Sequence, residues 1–112
     1  MRLVKHQELP ELGVSHNKEI KKKTMISAGE IPQLMMFGSA IFLPGQKVDL
    51  HKHDTMTEVF YIQKGKAEFT VEEKTLILEK GHCITIEAGE MHRQSNPFTK
   101  PVEWLYFGIA LD

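Results

Sequence analysis

Six turn signals at close, even spacing decide the fold class of this chain. Pro44-Gly45, Lys64-Gly65, Glu72-Glu73, Lys80-Gly81, Ala88-Gly89 and Asn96-Pro97 cut the sequence beyond Thr24 into short runs rich in β-branched and aromatic residues. Glycine, proline and charged pairs favour reversal of the backbone, and runs of this composition between reversals pair as strands. The pattern predicts strands over Lys23–Ser27, Leu34–Leu43, Lys47–Leu50, Glu58–Gln63, Ala67–Glu72, Lys74–Leu78, Cys83–Glu87, Met91–Ser95 and Val102–Ala110. Nowhere does an amphipathic helical period persist for three turns, so an all-β sandwich or barrel is expected.

At 112 residues the chain has room for one hydrophobic core, because a domain of this size buries roughly two-thirds of the surface its unfolded chain exposes. Residues 1–23 are the most polar part, with Pro10, Gly13 and the run Lys21-Lys22-Lys23. They read as an N-terminal arm holding at most one or two short strands, and residues 24–112 as the barrel. With 14 Lys and Arg against 15 Asp and Glu, the net charge is −1. No basic field exists to gather phosphates or anionic lipid, so neither nucleic acid nor a membrane is an expected partner. Met1 to His6 lacks the apolar stretch of a secretory signal, and no run approaches the ~20 apolar residues that span a bilayer. A single cysteine, Cys83, rules out an internal disulfide. These features predict a cytoplasmic protein, with Cys83 a buried structural thiol in the run Cys83-Ile84-Thr85-Ile86. No DNA-binding segment follows the barrel, so a regulatory fusion is not expected.

The chemistry is concentrated between Gly45 and Glu58. In an extended chain residues two apart face the same side, so His51 and His53 present both imidazoles to one point. Glu58 opens the next strand after a short bend, which can return its carboxylate to that point as a third ligand. His92, placed after the turn Ala88-Gly89-Glu90 at the start of another strand, is the best candidate for a fourth. Taken alone, these residues leave two readings open: a metal site, or an ordinary histidine pair on a surface strand with Glu58 as a turn residue.

The spacing resembles that of the cupin family. Gly45, five residues, His51, one residue, His53, four residues, Glu58, six residues and Gly65 fill every fixed position of the first cupin motif. Gly81, five residues, Glu87, one residue, Gly89, two residues, His92, three residues and Asn96 follow the second, with one departure. The family usually places proline where this chain has Glu87, a loss that bears on the rigidity of the loop before His92. The resemblance implies a double-stranded β-helix, or jelly-roll barrel of two antiparallel sheets, with His51, His53, Glu58 and His92 holding one divalent metal ion. It also implies a homodimer, with the N-terminal arm pairing against the partner's sheet, where an edge needs cover.

Alternation then assigns a pocket. If Glu58 points inward so do Phe60 and Ile62, for which plain barrel core is the favoured alternative, and if His92 points inward so does Gln94. Met56 joins from the loop. The last strand is apolar on both faces, so either Tyr106 or Phe107 lines the cavity, and Gln94 and Tyr106 are the candidates for catalytic or ligand-orienting work. His6, His16 and His82 have no partner at chelating spacing and are read as surface residues. Two functions are compatible with this set. The first is a metal-dependent enzyme acting on a small oxygen-bearing molecule, as a dioxygenase, isomerase, lyase or decarboxylase. The second is a non-catalytic cupin that binds or senses a small molecule such as a sugar, suggested because the spacing reveals no inward arginine, lysine or further carboxylate. Imidazole and carboxylate together accept Fe, Mn, Ni, Co, Cu or Zn, so the metal is not specified.

Overall fold

A computed structural model describes residues 1–111. Residue 112, with which the expected barrel ends, lies outside the described residues. A single 3-10 turn at His6–Glu8 precedes nine strands: β1 Leu12–Val14, β2 Asn17–Ile26, β3 Leu34–Phe42, β4 Met56–Lys64, β5 Lys66–Val71, β6 Lys74–Glu79, β7 Cys83–Ile86, β8 His92–Ser95 and β9 Val102–Ala110. Among the described residues no helix is long and apolar enough to cross a membrane. The strands form two antiparallel sheets, one of six in the order β1-β2-β3-β9-β4-β7 and one of three in the order β6-β5-β8.

The sheets face one another across an apolar core. Inward residues alternate along each strand as a half-buried sheet requires: Phe60 and Ile62 on β4, Ala67 and Phe69 on β5, Val102, Trp104 and Tyr106 on β9 are all buried. Four aromatic rings lock the layers together. Phe42 meets Trp104 at 4.5 Å between centroids, Phe60 meets Phe69 edge-on at 5.2 Å, and Phe69 meets Trp104 edge-on at 5.5 Å, the offset geometries that ring quadrupoles prefer. Gly65 makes the β4–β5 reversal at φ +79°, where it also passes against the backbone of Pro101 and Val102. A side chain there would be strained twice over.

Three sequence expectations change. The arm, expected to hold at most one or two short strands, carries a long one: β1 and the 10-residue β2 form a hairpin, and β2 pairs with β3 of the same chain from Lys21↔Ile41 to Ile26↔Phe37. The expected division at 23/24 falls inside β2. The strand expected at Lys47–Leu50 is reduced to isolated bridges, Lys47↔Ser95 and His51↔His92. Between them the pairing slips by one residue, and an extra residue on one side interrupts a ladder. Cys83, paired with Tyr61 on the outward face of β4, is exposed rather than buried, because the inward positions of β7 are taken by Ile84 and Ile86.

Candidate metal centre

His51 and His53 lie on the connection between β3 and β4, Glu58 on β4 and His92 at the start of β8, so both sheets contribute. The connection runs beside β8, with Val48 N donating to Gln94 O at 3.1 Å and the backbones of His51 and His92 exchanging bonds at 2.9 and 2.8 Å. The one-residue slip in this pairing keeps the two imidazoles on the cavity side. One potential ligand atom from each of His51, His53, Glu58 and His92 lies within 4.8 Å of the others.

The tautomers follow from the backbone. Nδ1 of His51 is 2.7 Å from Asp49 O, and Nδ1 of His92 is 2.9 Å from Glu90 O. A carbonyl only accepts, so each Nδ1 carries the proton and each Nε2 offers its lone pair inward. Glu58 Oε1 stands 3.3 Å from Nε2 of both His53 and His92. Oε1 of Glu58 and Nε2 of His92 are nonetheless buried without a hydrogen-bond partner among the described residues. Such orphaned atoms cost about 1–3 kcal/mol each. Lone pairs from three imidazoles and a carboxylate that converge without donors fit one divalent cation of borderline softness.

The same neighbours set the proton affinities. Burial lowers the pKa of His51, with the His92 and His53 rings adding to the effect against the Asp49 carbonyl and Glu58. At His92 burial also disfavours the charged form, but the Glu58 carboxylate and the Glu90 carbonyl outweigh it and the pKa is raised. Tyr106, buried and facing Glu58, is pushed up to about 12. Its hydroxyl therefore stays protonated at neutral pH and serves as a hydrogen-bond donor rather than a base.

His51, His53 and Glu58 form one wall of a cavity of about 140 Å³ whose remaining surface includes Met56, Phe60, Gln94, Trp104 and Tyr106. Gln94 is 6% exposed and its Oε1 has no partner. Of the residues expected in the pocket, Phe60 and Gln94 line the cavity, as does Met56, which opens β4 rather than joining from a loop. Ile62 does not: fully buried, it packs in the core. The ambiguity of β9 resolves toward Tyr106, since Phe107 turns outward and meets Phe37 edge-on at 6.4 Å. Gly108 faces inward too, where a Cβ would strike the sulfur atoms of Met36 and Met56.

Sequence reasoning missed the contribution of the arm. Val14, Ser15, His16 and Lys22 all line the cavity, and the His16 ring stacks on that of His51 with centroids 3.9 Å apart and planes at 26°. His16 is thus part of the site and not an isolated surface residue, whereas His6 contacts Ser39 and His82 accepts from Glu79 N well away from it. Burial lowers the His16 pKa, reinforced by His51. Lys22 supplies the inward lysine that spacing did not reveal. Its signal was the alternation with Ile20 on β2, invisible while that stretch was taken for a polar arm.

Residues 38–108 match Cupin_2, the cupin domain family. The chain belongs to the cupin family. This cupin is 32% identical over 68 residues to an oxalate-binding protein of Thermotoga maritima, an alignment covering 61% of this chain and 56% of that one. It is 41% identical over 54 residues to a mannose-1-phosphate guanylyltransferase of Sinorhizobium fredii, covering 48% of this chain and 10% of that enzyme. The alignments thus span less than two-thirds of these relatives' own lengths. Among solved structures, a predicted oxalate decarboxylase from Thermotoga maritima superposes with a TM-score of 0.90 at 24% identity, over 98% of this chain and 100% of that one. KdgF from Halomonas sp. does so with a TM-score of 0.81 at 18% identity, over 100% and 94%. At these identities the superpositions establish the shared fold.

The departure at Glu87 has a structural replacement. Proline has no N–H, whereas here Glu87 N donates to Glu90 Oε1 at 2.8 Å and Glu90 N donates to Glu87 O at 3.2 Å. Gly89, at φ +88°, donates its N–H to His53 O at 2.8 Å. A reciprocal tether thus holds the loop that a ring would otherwise stiffen.

Proposed function

We propose that this cupin is a metal-dependent enzyme acting on a small oxygen-bearing molecule. The observation that carries the reading is the convergence of one potential ligand atom from each of His51, His53, Glu58 and His92, three of which line a cavity that also holds the unpaired Gln94 Oε1. A bound divalent ion supplies Lewis acidity to ligand oxygen atoms. His51, His53, Glu58 and His92 would hold it, the first and last oriented by the Asp49 and Glu90 carbonyls two residues before them. Gln94 orients the substrate through its unpaired amide oxygen, and Tyr106 donates a hydrogen bond to a substrate oxygen as charge builds there. Phe60, Trp104 and Met56 exclude water around the reacting atoms.

A second reading is non-catalytic binding of a small molecule such as a carboxylate with the help of the metal, and the oxalate-binding relative of Thermotoga maritima favours it. One experiment separates the two. Metal content is measured on the purified protein and on His51→Ala and His92→Ala variants, and metal-loaded protein is then incubated with a panel of small acids, phenols and sugars. Stoichiometric metal lost in both variants, with turnover of at least one compound, supports the enzyme. Tight binding of a compound recovered unchanged after long incubation supports the binding protein, and a wild-type chain that takes up no metal removes both readings.

A further inference from the structure

The arm brings a cation to the metal cavity. Lys22 lies on β2 between Lys21 and Lys23, yet the three lysines do different things. Lys21 Nζ donates to Lys18 O and Lys23 Nζ to His6 O, both on the outer side of the sheet. Lys22 shares the inward side with Ile20, which is 0% exposed, and sits opposite Ala40, another cavity residue. A methyl group at position 40 leaves space over which the lysine stem can lie.

Among the described residues Lys22 makes no ion pair, and it is the only lysine or arginine lining the cavity. Removing an ammonium partly from water without a counter-charge is unfavourable. The cavity's one carboxylate, Glu58, is already directed at His53 and His92. With neutral imidazoles, the Glu58 carboxylate, a divalent ion and Lys22, the cavity carries two net positive charges. A dianion neutralises both.

We infer that Lys22 is a specificity-determining residue that holds the second carboxylate of a small dianionic ligand whose other oxygen atoms reach the metal. This inference rests on the metal-dependent reading above and narrows its substrate class to short dicarboxylates with a chelating oxygen pair. Size agrees, since a cavity of about 140 Å³ is comparable to one of roughly 150 Å³ that holds a benzene ring. The Ser15–His16 turn of the arm borders the cavity and so encloses the ligand's far end. Lys22 touches the ligand through charge and need not exchange a proton.

The test uses cobalt(II)-loaded full-length protein and two acids that differ in one group, malate and 2-hydroxybutyrate, in which a methyl replaces the second carboxylate. Affinities are read by calorimetry and by the cobalt absorption spectrum. Wild-type protein is expected to bind malate about tenfold more tightly, the scale of one partly buried charge pair. Lys22→Met should abolish that preference while leaving 2-hydroxybutyrate affinity and cobalt stoichiometry unchanged, and Lys22→Arg should restore most of it. Failure of wild-type protein to bind cobalt overturns the metal reading. Normal cobalt binding overturns the Lys22 inference alone if the two acids bind equally, if neither binds, or if Lys22→Met keeps the preference because the side chain reaches out to solvent.

Discussion

At the scale of single residues, the centre is defined by which nitrogen carries the proton. Carbonyls of Asp49 and Glu90 fix the Nδ1–H tautomer of His51 and His92, leaving Nε2 as ligand, and protons then compete with metal for the same lone pair. The sign follows from the shifts. His92 is raised above the ordinary value of 6.5, so it is the first of the two to protonate as pH falls, and His51, lowered below 6.5, protonates later. Metal affinity should be constant well above His92's pKa, fall by about tenfold per pH unit below it, and fall more steeply once His51 also charges. Titration with a competing chromophoric chelator across this range checks the prediction. Stoichiometric metal retained at pH 4 would contradict a site built on three imidazoles. Asn96 shows the same residue-level economy in a structural role: 0% exposed, it donates to Phe42 O and Lys100 O and accepts from Phe98 N, so the side chain satisfies three backbone groups at the end of β8.

Among the elements, the loop between β7 and β8 controls the last ligand. Its shape depends on the reciprocal Glu87–Glu90 bonds and on Gly89 donating to His53 O, and Glu90 O also orients the His92 ring. Replacing Glu90 by alanine keeps that carbonyl but removes the carboxylate that tethers Glu87 N. We expect Glu90→Ala to weaken metal binding by roughly tenfold or more, as loss of a group supporting a ligand commonly does, with little effect on the melting temperature of the metal-free protein. Unchanged affinity by chelator competition would show that the loop holds its shape without the tether. The β1–β2 hairpin is the second decisive element. Its pairing with β3 carries Lys22 to the cavity and sets His16 against His51, so the arm belongs to the wall of the site.

For the whole molecule, the four candidate ligands join two layers. Glu58 belongs to the six-stranded sheet and His92 to the three-stranded one, with His51 bridged to β8. A ligand that binds only the folded chain stabilises it in proportion to the logarithm of its excess over Kd. At a hundredfold excess of metal the gain is about 2.7 kcal/mol, which for a domain of this size corresponds to roughly 10 °C in melting temperature. Adding a chelator should remove that increment, and His92→Ala should melt at the same temperature with or without metal. A metal-dependent rise that survives in His92→Ala would mean that the ion binds elsewhere.

The alternation of apolar and polar residues between regularly placed turns was enough to give the all-β class, and the interval patterns around His51, His53, Glu58 and His92 were enough to pick out the four side chains that converge. Both are local properties: side-chain direction in a strand has a period of two, and a motif compresses a site into short intervals. Strand β9 and Ile62 mark where that legibility ends, because a strand apolar on both faces offers no contrast, and alternation fixes a side chain's face but not its depth in the barrel. The places of His16 and Lys22 depended on β2 pairing with β3 in the same sheet, a contact of which the polar composition of the amino-terminal segment gave no sign. Which residues line a cavity is a property of the closed sheet, and only the tertiary structure decided that the amino-terminal hairpin would be one of its walls.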